Sequence, residues 1–495
     1  MKHSIKFSLL GGVLLFSLSM CLTSCEGALD DVLGEWSRPT PSNNTTPTTS
    51  STYRVYTSGT SYTDEALPTS GVTTEANITN TWTGDIVISS DKTLTGDVTL
   101  SGDVNLIIKD GAELKVNGQI LGASNDLKIY GQSESTGKLT IDVADQYNIN
   151  VKSLEVHGCV IKGTSADQAI ENATTGTIKI YNGTVDVTGN YNGIMAQGDL
   201  TIYGGTVKSS STQVAISLSG CSLAIEGGTV SATSASATAI DSYSGTASIN
   251  ISGGTVTATG GTNSTANGGH GISISNGNIS ISGPTTSVTA IGGDGGTGAL
   301  DKGGHGLYVD NTDGTIVITG GTIIATAGNG TGGGAYAIYA YDGTNDNAAV
   351  IFNGGCDVTA TAAGTDGVGI RSNILTVSGS ATKVNATGKS MGILAQTTAL
   401  GANIITINDG TVFGKATAGG AHGITGIISY KGGVIEGEGG SGGLGFNNTY
   451  SVTNNSGAAI TVGYKSASGD GWTGENVVIS GTIANFDRYM IMPKP

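Results

Sequence analysis

The feature that most constrains this chain is an internal repeat. Leu-Thr-Ile-Tyr-Gly-Gly-Thr-Val begins at 200, Leu-Ala-Ile-Glu-Gly-Gly-Thr-Val at 223 and Ile-Asn-Ile-Ser-Gly-Gly-Thr-Val at 249. Degenerate copies extend both ways. The residue before the turn aligns at Tyr130, His157, Tyr181, Tyr203, Glu226, Ser252, Ser282, Thr319, Asn353, Ser378, Asn408 and Lys431, at intervals of 22 to 37 residues. A period in this range marks a solenoid, in which each unit buries its apolar face only against its neighbours.

Each copy reads as three short strands. Residues 200–203 alternate apolar and polar, a Gly-Gly turn follows, and Thr206-Val207-Lys208 opens a second strand. A third strand, Ala215-Ile216-Ser217-Leu218, begins with a small residue and then an aliphatic one. That step recurs from Ala169-Ile170 to Gly423-Ile424. An inward aliphatic contributes ~1.5–3 kcal/mol, whereas ordering each backbone unit costs ~1–2 kcal/mol. One coil of this size therefore cannot stand alone, and stacking is obligatory. The expected fold is all-β: a right-handed parallel β-helix of three-strand coils, roughly 12 or more in number.

The expected organisation is an export signal over 1–24, an anchor and tether over 25–52, and an N-terminal cap with first coils over 53–125. Repeats then fill 126–445 and a C-terminal cap 446–495. Lys2 and Lys6 precede an apolar run, Leu9 to Leu18, too short to span a bilayer. Leu22-Thr23-Ser24-Cys25 resembles the lipobox of bacterial lipoproteins, which implies a lipid on Cys25. Glu26, Asp30 and Asp31 resemble the surface-export signal of Bacteroidetes lipoproteins. The two resemblances imply a lipid-anchored protein exposed at the outer membrane. Residues 37–52 are Thr-, Ser- and Pro-rich and lack the apolar side chains that would order them.

Composition narrows the partners. There are 82 glycines in 495 residues without a three-residue period, which excludes collagen. The net charge is −16; without Lys2 and Lys6, 20 basic residues face 38 acidic ones, or −18. So acidic a chain is not expected to bind nucleic acid, nor other polyanions unaided.

The run Gly193-Ile194-Met195-Ala196-Gln197-Gly198-Asp199-Leu200-Thr201-Ile202-Tyr203-Gly204-Gly205-Thr206-Val207 resembles the carbohydrate-binding β-helix family of pectin-degrading clostridia. That family is pectate-lyase-like in shape. The resemblance covers about 150–440 and implies binding of acidic polysaccharide with calcium as a possible cofactor. The family's frequent acidic residue before the small-Ile step is missing here apart from Asp366, so no calcium site transfers to named residues.

Strand alternation turns Ile129, Val156, Ile180 and Ile202 inward, hence Tyr130, His157, Tyr181 and Tyr203 outward in four successive coils. A line of aromatic faces can stack on sugar rings; it can equally be an external ladder that stabilises the sheet. A second candidate patch combines Tyr308, Tyr339 and Arg371 with His270, His305 and Tyr336, beside the longest insertions.

Catalysis is the weaker expectation. Gly269-His270-Gly271 and Asn311-Thr312-Asp313-Gly314 resemble polygalacturonase segments, but in reversed order and without the paired aspartates or the Arg-x-Lys. Gly-His-Gly recurs at 304–306 and Ala421-His422-Gly423 takes the same step, as a repeated turn would. Pectate-lyase chemistry needs a basic group beside calcium, and Arg371 has no visible aspartate cluster. Gly292 to Gly298 reads as a flexible insertion, and Cys159 and Cys356 as buried filler at the Thr position of the turn, with Cys221 in a turn. The expected function is non-catalytic polysaccharide binding at the cell surface. The alternative is an adhesin or structural rod that presents loops to a protein or host surface.

Overall fold

The structure is a computed structural model that describes residues 51–495, apart from 144–145, 174–175, 344–346, 397–403, 448–451, 458–459, 466–472, 477–487 and 494–495. The expected export signal, the lipid on Cys25 and the tether as far as residue 50 lie outside the described residues. Thr52, the last residue assigned to the tether, already begins a strand, Thr52–Tyr56.

The described chain is all-β and winds as a parallel β-helix. One coil comprises Leu200–Ile202, Thr206–Ser211 and Val214–Ser219, and each pairs in parallel with its counterpart one coil later. Three parallel sheets result, called first, second and third after the order of strands in that coil. The two-residue period of each strand decides what enters the core. Leu200, Ile202, Val207, Ile216 and Leu218 are fully buried, and the intervening residues face outward.

Register makes these residues into columns. In the first sheet Val104, Leu127, Leu154, Ile178, Leu200, Leu223 and Ile249 lie one above another. The column continues through Ile279, Ile316, Val350, Leu375, Ile405 and Ile428 to Val452. The stack thus reaches beyond the repeats visible in sequence, into segments expected to be atypical ends.

The Gly-Gly turn is fixed by two demands at once. Gly228 has φ 80°, a left-handed conformation that disfavours other residues. A Cβ there would also lie 2.5 Å from the carbonyl oxygen of Gly205 in the previous coil. Turns stacked this closely leave no space for a side chain.

The insertions that carry Gly261 to Gly269, Gly292 to Gly304 and Gly328 are ordered, which corrects the expectation of a flexible loop at Gly292 to Gly298. A hydrogen-bonded glycine column runs through them: Gly269 N–H donates to Gly261 O, Gly293 to Gly269, Gly304 to Gly293 and Gly328 to Gly304, at 2.8–2.9 Å. A Cβ on any of these five would meet backbone at 1.8–2.1 Å. The glycine-rich composition therefore builds a packed layer beside the second-to-third sheet turn, satisfying its polar backbone internally.

Both ends of the stack carry large side chains. Trp82 is buried at the N-terminal end, with its Nε1–H donating to Thr79 O at 2.9 Å. At the other end Arg488–Pro493 runs antiparallel to Val434–Glu438, the last coil's second-sheet strand, and closes that edge.

Candidate functional site

The four residues expected to form an outward column do so. Each follows the same inward aliphatic, so coil stacking brings the rings into van der Waals range. Tyr130 and His157 lie 4.7 Å apart between centroids, His157 and Tyr181 4.5 Å, and Tyr181 and Tyr203 4.6 Å, with interplanar angles of 6–16°. Face-to-face stacking has a consequence for binding. Interior faces are occupied by neighbouring rings, so a sugar can meet only ring edges and hydroxyls, or the free face at an end.

Two of the four are almost wholly covered. The antiparallel hairpin of Thr52–Tyr56 and Tyr62–Ala66 lies along the column. Arg54 N–H donates to Gly131 O at 3.0 Å, Gln132 Nε2 to Thr52 O at 2.7 Å, and Tyr56 N–H to His157 Nδ1 at 3.0 Å. Tyr53 packs edge-on against Tyr130 at 5.0 Å. Tyr130 is left 7% exposed and His157 3%. This corrects the expectation that both offer themselves to a ligand: a segment distant in sequence covers them instead. Since His157 Nδ1 accepts, Nε2 carries the proton and faces Glu155 Oε2 at 3.4 Å. That hydrogen bond, with Lys128 and Lys179 nearby, holds the Glu155 carboxyl below its ordinary range.

The structure gathers the second set into one patch on the third sheet. Ser273, Tyr308, Tyr339 and Arg371 are in register on its outer face, and His270, His305 and Tyr336 flank them on the side of the glycine layer. His270 and His305 stack at 4.8 Å and 3°, His305 and Tyr336 at 5.1 Å, and Tyr308 packs on both histidines at 4.5 and 4.7 Å. Each histidine also binds the next coil: His305 N–H donates to His270 Nδ1 and Tyr336 N–H to His305 Nδ1, both at 2.9 Å. A ring nitrogen that accepts a main-chain hydrogen bond is unprotonated, so the imidazoles are neutral. Burial agrees, pushing the His270 pKa down to about 4 and His305 well below its ordinary value. Burial likewise pushes the phenol of Tyr339 up to about 12.

Arg371 closes the patch. Its Nη1 donates to the Tyr336 hydroxyl at 2.6 Å, and its Cζ lies 4.2 Å from the centre of the Tyr341 ring and 5.2 Å from that of Tyr336. Its Nε is buried with no hydrogen-bond partner. Among the described residues, no carboxylate lies within ion-pair distance of this guanidinium. A half-buried arginine without a counter-ion keeps an unneutralised positive charge that an anion beside it can pair with.

Tyr341 joins the patch without a signal in the repeat pattern, although it stands two residues beyond Tyr339. A polar cleft of about 330 Å³ lies further along the same sheet margin, beside Asp366, Lys389, Met391 and His422. His422 repeats the histidine pattern, its Nδ1 accepting Leu444 N–H at 3.2 Å. The Asn-Thr-Asp segment forms no acid pair; Asp313 Oδ1 accepts from Asn347 Nδ2 at 2.9 Å. Among the described residues, no group of three His, Cys, Asp or Glu side chains is arranged to hold a metal. Cys159, Cys221 and Cys356 are buried free thiols, with pKa values pushed up to about 12, 11 and 11 chiefly by burial. Register corrects their place in the turn: Val160 and Asp357 occupy the Thr position, and Cys159 and Cys356 each come one residue earlier. No protein-family model, curated protein or solved structure matches this chain.

Proposed function

We propose that this protein is a non-catalytic, cell-surface lipoprotein that binds polysaccharide on the third-sheet patch. The observation that carries this reading is Arg371: a half-buried cation with no carboxylate partner among the described residues, held between tyrosine rings. Removing such a group from water without pairing it is costly. An anionic substituent on a glycan, a carboxylate or a sulfate, would pair with the guanidinium charge while sugar hydroxyls meet the edges of Tyr308 and Tyr339. Tyr336 and Tyr341 fix the guanidinium in place, so little ordering entropy is lost on binding. The lipid on Cys25 would hold this surface at the outer membrane.

The test is a glycan array on residues 51–495, with calcium and with chelator, followed by titration of Arg371→Ala. Selective binding of anionic glycans, weakened about tenfold or more in the variant, is the expected result. Equal affinity in both proteins would overturn the assignment. Binding that vanishes with chelator would show that calcium takes part.

The adhesin or rod reading draws on one feature, the outer face of the second sheet. Thr229, Ser231, Thr233, Thr255, Thr257 and Thr259 form a charge-free grid of hydroxyls in register. A folded body that binds no glycan on the array would move the weight to that reading.

A further inference from the structure

The first stack stops at Tyr203. Its inner face rests on Tyr181, and the next residue in the row is Glu226, which is exposed, so the far face carries no aromatic ring. This end opens into a cleft of about 420 Å³ between the turn glycines of two coils, residues 204–205 and 227–228, and the hairpin tip Ser58-Gly59-Thr60. That volume suits a sugar or two, within the range of small-ligand sites.

The hairpin is built to end here. Asn182 Nδ2 donates to Gly59 O at 3.1 Å. A Cβ on Gly59 would meet Tyr203 O at 2.2 Å, and one on Gly204 would meet Gly59 Cα at 2.8 Å. Two glycines thus let the tip close on the coil, leaving Ser58 and Thr60 at the cleft. Within the tip, Ser58 Oγ accepts Ser61 N–H at 3.1 Å, which leaves its hydroxyl proton free to donate.

We propose that the hairpin tip, Tyr203 and Glu226 form a second saccharide site, for an uncharged sugar ring. The apolar face of a pyranose lies against Tyr203, whose opposite face is already supported by Tyr181. Glu226 accepts hydrogen bonds from sugar hydroxyls; among the described residues it has no ion-pair partner. Ser58 donates from the opposite wall. Charge sets the class. Glu226, exposed and without an ion-pair partner among the described residues, lines the cleft, so its carboxylate repels uronates and sulfated sugars. The preference is opposite to that of Arg371, and the two sites lie on different sheets. The inference does not rest on the third-sheet reading.

The experiment is NMR of residues 51–495 carrying labelled tyrosine, titrated with maltose, cellobiose, lactose and mannobiose, and separately with digalacturonate. At least one neutral disaccharide is expected to shift the Tyr203 ring signal. Tyr203→Ala should weaken its affinity about tenfold and Glu226→Gln severalfold, while Tyr203→Phe binds as the parent does. Gly59→Leu, whose side chain would strike the Tyr203 carbonyl and push the tip with Ser58 off the coil, should weaken it too. A Tyr203 signal unmoved by every neutral probe, or Tyr203→Ala with unchanged affinity, would overturn the site. A shift by digalacturonate alone would overturn the ligand class. Circular dichroism of Tyr203→Ala against Tyr203→Phe separates loss of the site from loss of fold. The Arg371 site is read with anionic glycans, so the failure of either leaves the other standing.

Discussion

In each of the four histidines of the described chain, Nδ1 accepts a main-chain N–H from another coil or from the hairpin. Protonation removes the acceptor, and burial holds the pKa of His270 and of His305 down. For His270 the folded pKa is about 4, against about 6.5 for a free histidine. The unfolded chain therefore binds more protons between those values. The stabilisation is complete above about pH 6.5 and is lost as pH falls toward 4. Denaturant melts at pH 7.5 and 4.5 should show this loss, and His270→Gln should reduce the difference between them. A difference the same size in His270→Gln would show that other groups set the acid response. In sequence the recurrence of His270, His305 and His422 was legible, as was their link to a repeated turn. Their role was not, because nothing in Gly-His-Gly says which ring nitrogen meets which amide.

At the scale of elements, the alternation of strands was readable and gave the three sheets and the outward rows correctly. What it could not give is contact between distant segments. Residues 53–66 contain Tyr-Arg-Val-Tyr and Tyr-Thr-Asp-Glu around a Ser-Gly-Thr turn, a hairpin pattern. That this hairpin lies on Tyr130 and His157 rather than capping an end follows from long-range packing alone. Removing residues 51–67 should therefore leave the coils folded and open the ring stack. The His157 ring, 3% exposed under the hairpin, should then react readily with diethyl pyrocarbonate, which the parent protein resists. Equal reactivity of His157 in the two proteins would mean that the hairpin does not cover the stack in solution. The turns are less forgiving. Gly228→Ala meets both a left-handed φ and the Gly205 carbonyl; it should cost at least ~1–2 kcal/mol, measured by chemical denaturation, whereas Thr257→Ala on the outer face should cost little.

At the scale of the whole molecule, a solenoid distributes its stability along the axis, each coil leaning only on the next. Ile216 lies in the column of Ile194, Ile216 and Ile240 and is fully buried. Ile216→Ala should cost ~2–5 kcal/mol and raise exchange in the adjoining coils before distant ones. Uniform exchange along the rod would instead point to a single cooperative unit.

Charge, at the same scale, bears on how the protein meets a membrane. With a net charge of −16 and only 22 basic residues, the chain is poorly suited to holding an anionic lipid surface by electrostatics. On the proposed lipoprotein reading, attachment then comes from the acyl chains on Cys25, several of them, because one alone gives marginal and reversible binding. Two outcomes follow from the same premise. Cys25→Ser should move the protein wholly from the detergent phase to the aqueous phase, without partial retention. The parent protein should stay bound through a high-salt wash, because no ion pair with the headgroups contributes. Release of the parent by salt, or retention of Cys25→Ser in the membrane fraction, would show that a surface of the folded body makes the contact, and would return the second-sheet face to consideration as that surface.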